Sequence, residues 1–140
     1  MNGIRVLLVD DHPVIRALLR QVLEAYSDIV IVAEAEDGEE AVNLATIHQP
    51  AVVLIDLHLP RLSGVEATKL IRLQSPGTAI IGLTAGEPDD REIEIISAGA
   101  SAVLNKADVF QELYPSITKA VRLASFYPAH LNKSAAAASD

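Results

Sequence analysis

Five short runs of Val, Ile, Leu and Ala recur along this chain, and the stretches between them have a helical period. The runs at 4–9, 29–33, 51–55, 79–83 and 102–104 are continuous, not alternating, as strands covered on both faces should be. After the first run, Val14, Ile15, Leu18, Leu19, Val22 and Leu23 repeat at three- and four-residue steps, with Arg16, Arg20 and Glu24 elsewhere on the wheel. Pro13 suits the first turn of that helix, where its missing N–H has no partner to lose. Residues 39–48, 65–73, 89–98 and 109–124 read as four further helices. Pro50 and Pro76 follow the second and third, and Gly99 is placed to close the fourth. Strand and helix repeated five times predict an α/β domain, with a parallel sheet, helices on both faces and right-handed crossovers.

The alternation stops near Ser125. Phe126-Tyr127-Pro128 ends the last helix, and a small-residue tail follows. The expected organisation is one domain over residues 1–126 and a tail over 127–140, which is a linker stub, a frayed end or a remnant of cloning. Only five of 140 residues are aromatic, so the core must be aliphatic. The chain has no cysteine, which removes thiolate metal sites and cysteine catalysis. No apolar run approaches the roughly 20 residues that cross a bilayer, and the N-terminus does not resemble a signal peptide. A cytoplasmic protein with no membrane attachment is the expectation. Eleven basic residues against nineteen acidic give a net charge of -8, which opposes direct nucleic-acid binding by this chain.

In an open parallel sheet, ligands bind beyond the carboxyl ends of the strands, where the strand order reverses. The first strand ends in Asp10-Asp11, the third in Asp56, the fourth in Thr84 and the fifth in Lys106; the second ends in Glu34-Ala35-Glu36, which does not match the others. Three carboxylates, a hydroxyl and an ammonium thus converge on one edge. Clustered carboxylates stay ionised mainly when a cation is supplied, and an all-oxygen donor set favours Mg²⁺. A carboxylate beside such an ion can attack phosphorus and form an aspartyl phosphate. The metal, the lysine and the hydroxyl would each meet an oxygen of the transferring group.

Asp10-Asp11, Asp56-Leu57-His58-Leu59-Pro60 with Gly64, Leu83-Thr84-Ala85, and Gly99-Ala100 leading to Lys106 together resemble the response-regulator receiver family over roughly residues 3–125. The resemblance implies a flavodoxin-like (βα)5 doubly wound sheet of order 2-1-3-4-5, with its switch point between strands one and three. It implies Asp56 as phosphoacceptor, with Thr84 and Lys106 contacting the phosphoryl group. Asp11, Asp56 and the His58 backbone carbonyl would bind Mg²⁺, with Asp10 acting through water. It also implies a sensor histidine kinase or a histidine phosphotransfer protein as phosphodonor, with small acyl phosphates as substitutes. A second copy of the chain is a further candidate partner. A domain of this kind is a switch controlling an output such as transcription, not a turnover enzyme.

Three positions depart from the family's pattern. Leu59 stands in place of the usual Met, a swap that conserves volume. Ala107 stands where many members have proline, a substitution that resembles the subclass whose receivers precede a helix-turn-helix DNA-binding domain. Val103 replaces the aromatic residue commonly used as a switch.

Each feature alone has a blander reading. Asp11 or His12 can cap the first helix, Asp56 can belong to a turn, Thr84 can be an ordinary strand end and Lys106 a solvated charge. The nearer half of the first helix, at Val14 and Leu18, is either core or a docking surface for a partner helix. Of His12, His48, His58 and His130, only His12 and His58 can approach the active edge, too few for a zinc site; His58, two residues past Asp56, is either a loop residue or an influence on phosphate loss. Two rival functions are a haloacid-dehalogenase-type phosphatase using Asp56 as nucleophile and a flavodoxin-type flavin carrier. The first wants an acid where His58 stands, and the second a phosphate cradle where Asp10-Asp11 stand.

Overall fold

The computed structural model describes residues 3–86 and 89–124. The expected tail, His130 and the loop positions 87–88 lie outside the described residues. Five strands, β1 (Ile4–Val9), β2 (Ile29–Ala35), β3 (Val52–Asp56), β4 (Ala79–Thr84) and β5 (Ala102–Asn105), form one parallel sheet in the order β2-β1-β3-β4-β5. The expected fold and strand order are both present. Five helices, α1 (Pro13–Glu24), α2 (Gly38–His48), α3 (Gly64–Gln74), α4 (Asp90–Ala98) and α5 (Val109–Ala124), alternate with the strands.

The continuous apolar runs are explained by the two cores. Along β1, Val6 and Leu8 point towards α1 and α5, where they meet Leu19, Leu23, Leu113 and Ile117. Leu7 and Val9 point to the opposite face, with Ala41, Ala45, Ile71 and Ile95 of α2, α3 and α4. Side chains alternate across a strand, so burying both faces requires an apolar residue at every position. All six residues of β4 and all five of β3 are buried, and those with large aliphatic side chains contribute about 1.5–3 kcal/mol each. The edge strands β2 and β5 are mostly half-buried.

Local chemistry sets the helix starts. The Asp37 and Ser63 side chains accept from the backbone N–H of Glu40 and Glu66, and Asp89 accepts from Arg91. Asp89, expected as the first helical residue, is therefore the cap of α4. Gly99 ends α4 at φ 120°, a left-handed value that glycine adopts without Cβ strain. The cap of α1 is His12, and no side chain caps it, so the bland capping role for Asp11 is not the one it plays. Helix α5 carries Pro115 in its interior, which removes one backbone donor without ending the helix.

Candidate functional site

The carboxyl ends of β1, β3, β4 and β5 bring the expected residues to one edge. Asp10 follows β1 directly, Asp56 and Thr84 are the last residues of β3 and β4, and Lys106 opens a short 3-10 turn after β5. Asp10, Asp56 and Thr84 are buried, and Asp11 is 33% exposed. Lys106 Nζ lies 2.7 Å from Asp10 Oδ2 and 3.4 Å from Asp56 Oδ2, so one ammonium serves two buried carboxylates. The backbone holds both acids: Asp10 Oδ1 accepts from the His12 N–H at 2.9 Å, and Asp56 Oδ1 from the His58 N–H at 3.2 Å.

Burial pushes the Asp56 carboxyl above its usual range, and repulsion from Asp10 adds to this. The His58 N–H and the Lys106 charge pull the other way without cancelling it. One ligand atom each from Asp10, Asp11, His12 and Asp56 lie within 4.8 Å of one another. Asp10 Oδ2 and Asp11 Oδ1 are buried and accept no aligned hydrogen bond. Shielded carboxylate oxygens gathered this closely, Asp10 Oδ2 met by the Lys106 ammonium and Asp11 Oδ1 accepting no aligned hydrogen bond, fit a hard divalent cation. The nearest groups to Asp11 Oδ1 include the His12 imidazole, whose Nδ1 is 3.1 Å away.

Gly64 keeps the acidic loop in place. A Cβ at this position would collide with the Asp56 carbonyl oxygen and come within 3.0 Å of Leu57 Cα. Gly64→Ala must therefore push the β3 end, and we expect a loss of about 1–3 kcal/mol from overpacking. Chemical denaturation checks this, and a variant as stable as the parent would show that the loop yields freely.

His58 is exposed, and Arg91 Nη1 lies 2.8 Å from its Nδ1, linking the loop after β3 to the start of α4. Val14 is 79% exposed beside this edge, while Leu18 is half-buried. Val103 is half-buried against the α2–α4 core and borders a shallow groove with Ile93 and Ile96 of α4. Asn105 was not singled out in the sequence. Its Oδ1 accepts from the Ala107 N–H and its Nδ2 donates to the Gly86 carbonyl, tying the loop after β4 to the turn that carries Lys106. The signal available for it was an Asn immediately before a turn.

Comparison with known proteins agrees with this fold. The response regulator receiver domain family matches residues 6–118. The transcriptional regulatory protein LiaR of Bacillus subtilis is 43% identical over 117 residues, covering 84% of this chain and 56% of LiaR. A protein-glutamate methylesterase/protein-glutamine glutaminase of Nitrosospira multiformis is 43% identical over 105 residues, 72% of this chain and 29% of that protein. The chain thus spans about half, or less, of the length of these curated relatives. Among solved structures, the response regulator domain of Thermotoga maritima CheB superposes with a TM-score of 0.80 at 32% identity, covering 86% of this chain and 98% of that one.

Proposed function

The chain belongs to the response regulator receiver domain family of two-component systems, and on that footing we propose that Asp56 accepts a phosphoryl group from a phosphohistidine of a sensor kinase or phosphotransfer protein. The observation that carries the reading is the buried Asp56 carboxylate at the end of β3, with Asp10, Asp11 and Lys106 gathered around it. An Asp56 carboxylate oxygen forms the new bond to phosphorus as the phosphorus–nitrogen bond breaks, and the electron pair returns to the imidazole, which takes up a proton. Asp11, Asp56 and the His58 carbonyl would hold Mg²⁺ directly and Asp10 through water. Bound there, the ion supplies positive charge for the phosphoryl oxygens. Lys106 moves from the carboxylates to a phosphoryl oxygen, and the Thr84 hydroxyl donates to another.

The raised position of the Asp56 carboxyl belongs to the metal-free protein; a cation beside it favours the ionised, nucleophilic form. The domain works as a switch and not as a turnover enzyme. Its output, transcriptional in relatives such as LiaR, would belong to a longer protein. The net charge of -8 leaves DNA contact to other segments. No described helix is long and apolar enough to cross a membrane, in keeping with a cytoplasmic role. A phosphatase of the haloacid-dehalogenase type finds no support, because His58 stands where its second acid is needed.

Incubation of the full chain with a small acyl phosphate and Mg²⁺ should add one phosphoryl group, and chelating the metal should prevent it. Intact-mass measurement decides. Equal labelling with and without chelator would remove the metal from the reaction, and continuous release of many equivalents of inorganic phosphate would favour the phosphatase.

A further inference from the structure

The Glu34-Ala35-Glu36 end of β2 takes no part in the chemistry above, yet it is tied to the acidic pocket through one side chain. Arg16 of α1 is only 14% exposed, and its guanidinium donates in three directions. Nη1 reaches the Asp10 backbone carbonyl at 2.6 Å, Nε the Glu34 carboxylate at 2.8 Å, and Nη2 the Glu36 carboxylate at 3.4 Å. Glu34 is gripped from its other oxygen by Arg20 at 2.7 Å, and Arg20 also binds Glu24 at 2.8 Å. On the opposite side of the same residue, the Asp10 N–H donates to the Ala35 carbonyl at 3.1 Å. The backbone of Asp10 is therefore held at both its N–H and its carbonyl, just where the two pocket acids leave the chain.

We infer that Arg16 is a positioning residue for the cation pocket: oriented by Glu34, it holds the Asp10 carbonyl and so aims the Asp10 and Asp11 carboxylates. The inference rests on the reading above only in taking the pocket as a Mg²⁺ site. Its action is geometric and not a matter of field, because Arg16 and Arg20 face the carboxylates of Glu24, Glu34 and Glu36, which outnumber them. A planar fork can reach the carbonyl and Glu34 together, whereas a lysine offers one point charge on a flexible stem. Groups that orient metal ligands, without touching the metal, typically carry about 10–100-fold in affinity.

Mg²⁺ titration of the full chain, followed by amide NMR shifts, tests this without recourse to phosphorylation. Arg16→Met should bind Mg²⁺ roughly tenfold or more weakly than the parent, with a dispersed spectrum showing an intact fold. Arg16→Lys should fail to restore the affinity. Glu34→Gln keeps the arginine but loosens it, and should lose roughly twofold or more; with Arg16→Lys it decides the matter if Arg16→Met does not fold. In acyl phosphate reactions of the folded variants, the Mg²⁺ concentration for half-maximal rate should rise by the same factor, while the rate at saturating Mg²⁺ stays within about threefold of the parent. Affinity within twofold of the parent in Arg16→Met, or full recovery in Arg16→Lys, would overturn the positioning role. A parent that binds no Mg²⁺ would overturn the metal reading and this inference with it. Phosphorylation that survives in Asp56→Asn would sink only the acceptor assignment.

Discussion

Asp11→Ala should bind Mg²⁺ roughly tenfold or more weakly than the parent, whereas Lys106→Ala should bind it as well or better and accept phosphate on the order of a hundredfold more slowly. The contrast follows from the charges. Asp11 directs a shielded, undonated oxygen into the pocket, and Mg²⁺ sites rely on one or two carboxylates, so removing one leaves the ion with little to hold it. Lys106 competes for the neighbouring Asp10 and Asp56 carboxylates from 2.7 Å and 3.4 Å, and its loss leaves them freer to take a cation. During transfer the missing ammonium is felt, because charge then develops on phosphoryl oxygens that it would have met. Calorimetric Mg²⁺ titration and a time course of acyl phosphate labelling separate the two effects. Unchanged Mg²⁺ affinity in Asp11→Ala would defeat the metal assignment, and full-speed labelling of Lys106→Ala would defeat the role given to the lysine.

In metal-free buffer at neutral pH, Asp56→Asn should be more stable than the parent by about 1 kcal/mol or more, roughly 3 °C in melting temperature. Asp56 is buried beside Asp10, and burial leads the causes that raise its carboxyl above the usual range. With the folded value above the unfolded one, its contribution to stability is fully present below the unfolded value and is lost as pH rises through the folded value. The parent should thus lose stability over that window and the Asn variant should not, so the gap between them opens with rising pH. Saturating Mg²⁺ should stabilise the parent more than the variant, since only the parent presents the second carboxylate. Thermal melts across pH, with and without Mg²⁺, check both statements. A variant less stable than the parent at neutral pH would mean that Lys106 and the His58 N–H outweigh the burial of the charge.

Much of this was legible in the sequence because burial on two faces leaves an unbroken apolar record. The bounds of β1 are as read, and β3 and β4 shift by one residue at most. The strand order came with the resemblance, carried by Asp10-Asp11, Asp56, Thr84 and Lys106 in the right sequence. What stayed hidden depended on tertiary partners. The second strand runs on to Ala35 through Glu34, whose charge looked like the end of an apolar run until Arg16 and Arg20 supplied its partners. Arg16 itself, on the polar side of α1, is indistinguishable by periodicity from a solvated charge, and only the fold places it under Asp10. The last helix, by contrast, is as read over 109–124, and it continues past Pro115 packed on the sheet through Leu113 and Ile117. The reach of His12 to both Asp10 and Asp11 follows from its place as the α1 cap, a position that spacing alone left open between it and Asp11.

The assignment of Asp56 is tested most directly by locating the phosphoryl group. Full chain labelled with a small acyl phosphate in Mg²⁺ can be reduced with borohydride, which converts an aspartyl phosphate to homoserine, and then mapped by peptide mass spectrometry alongside Asp56→Asn. The expected result is one modified residue, Asp56, and an unlabelled variant. Homoserine at Asp10 or Asp11 in the parent, or one phosphoryl group per chain in Asp56→Asn, would contradict it.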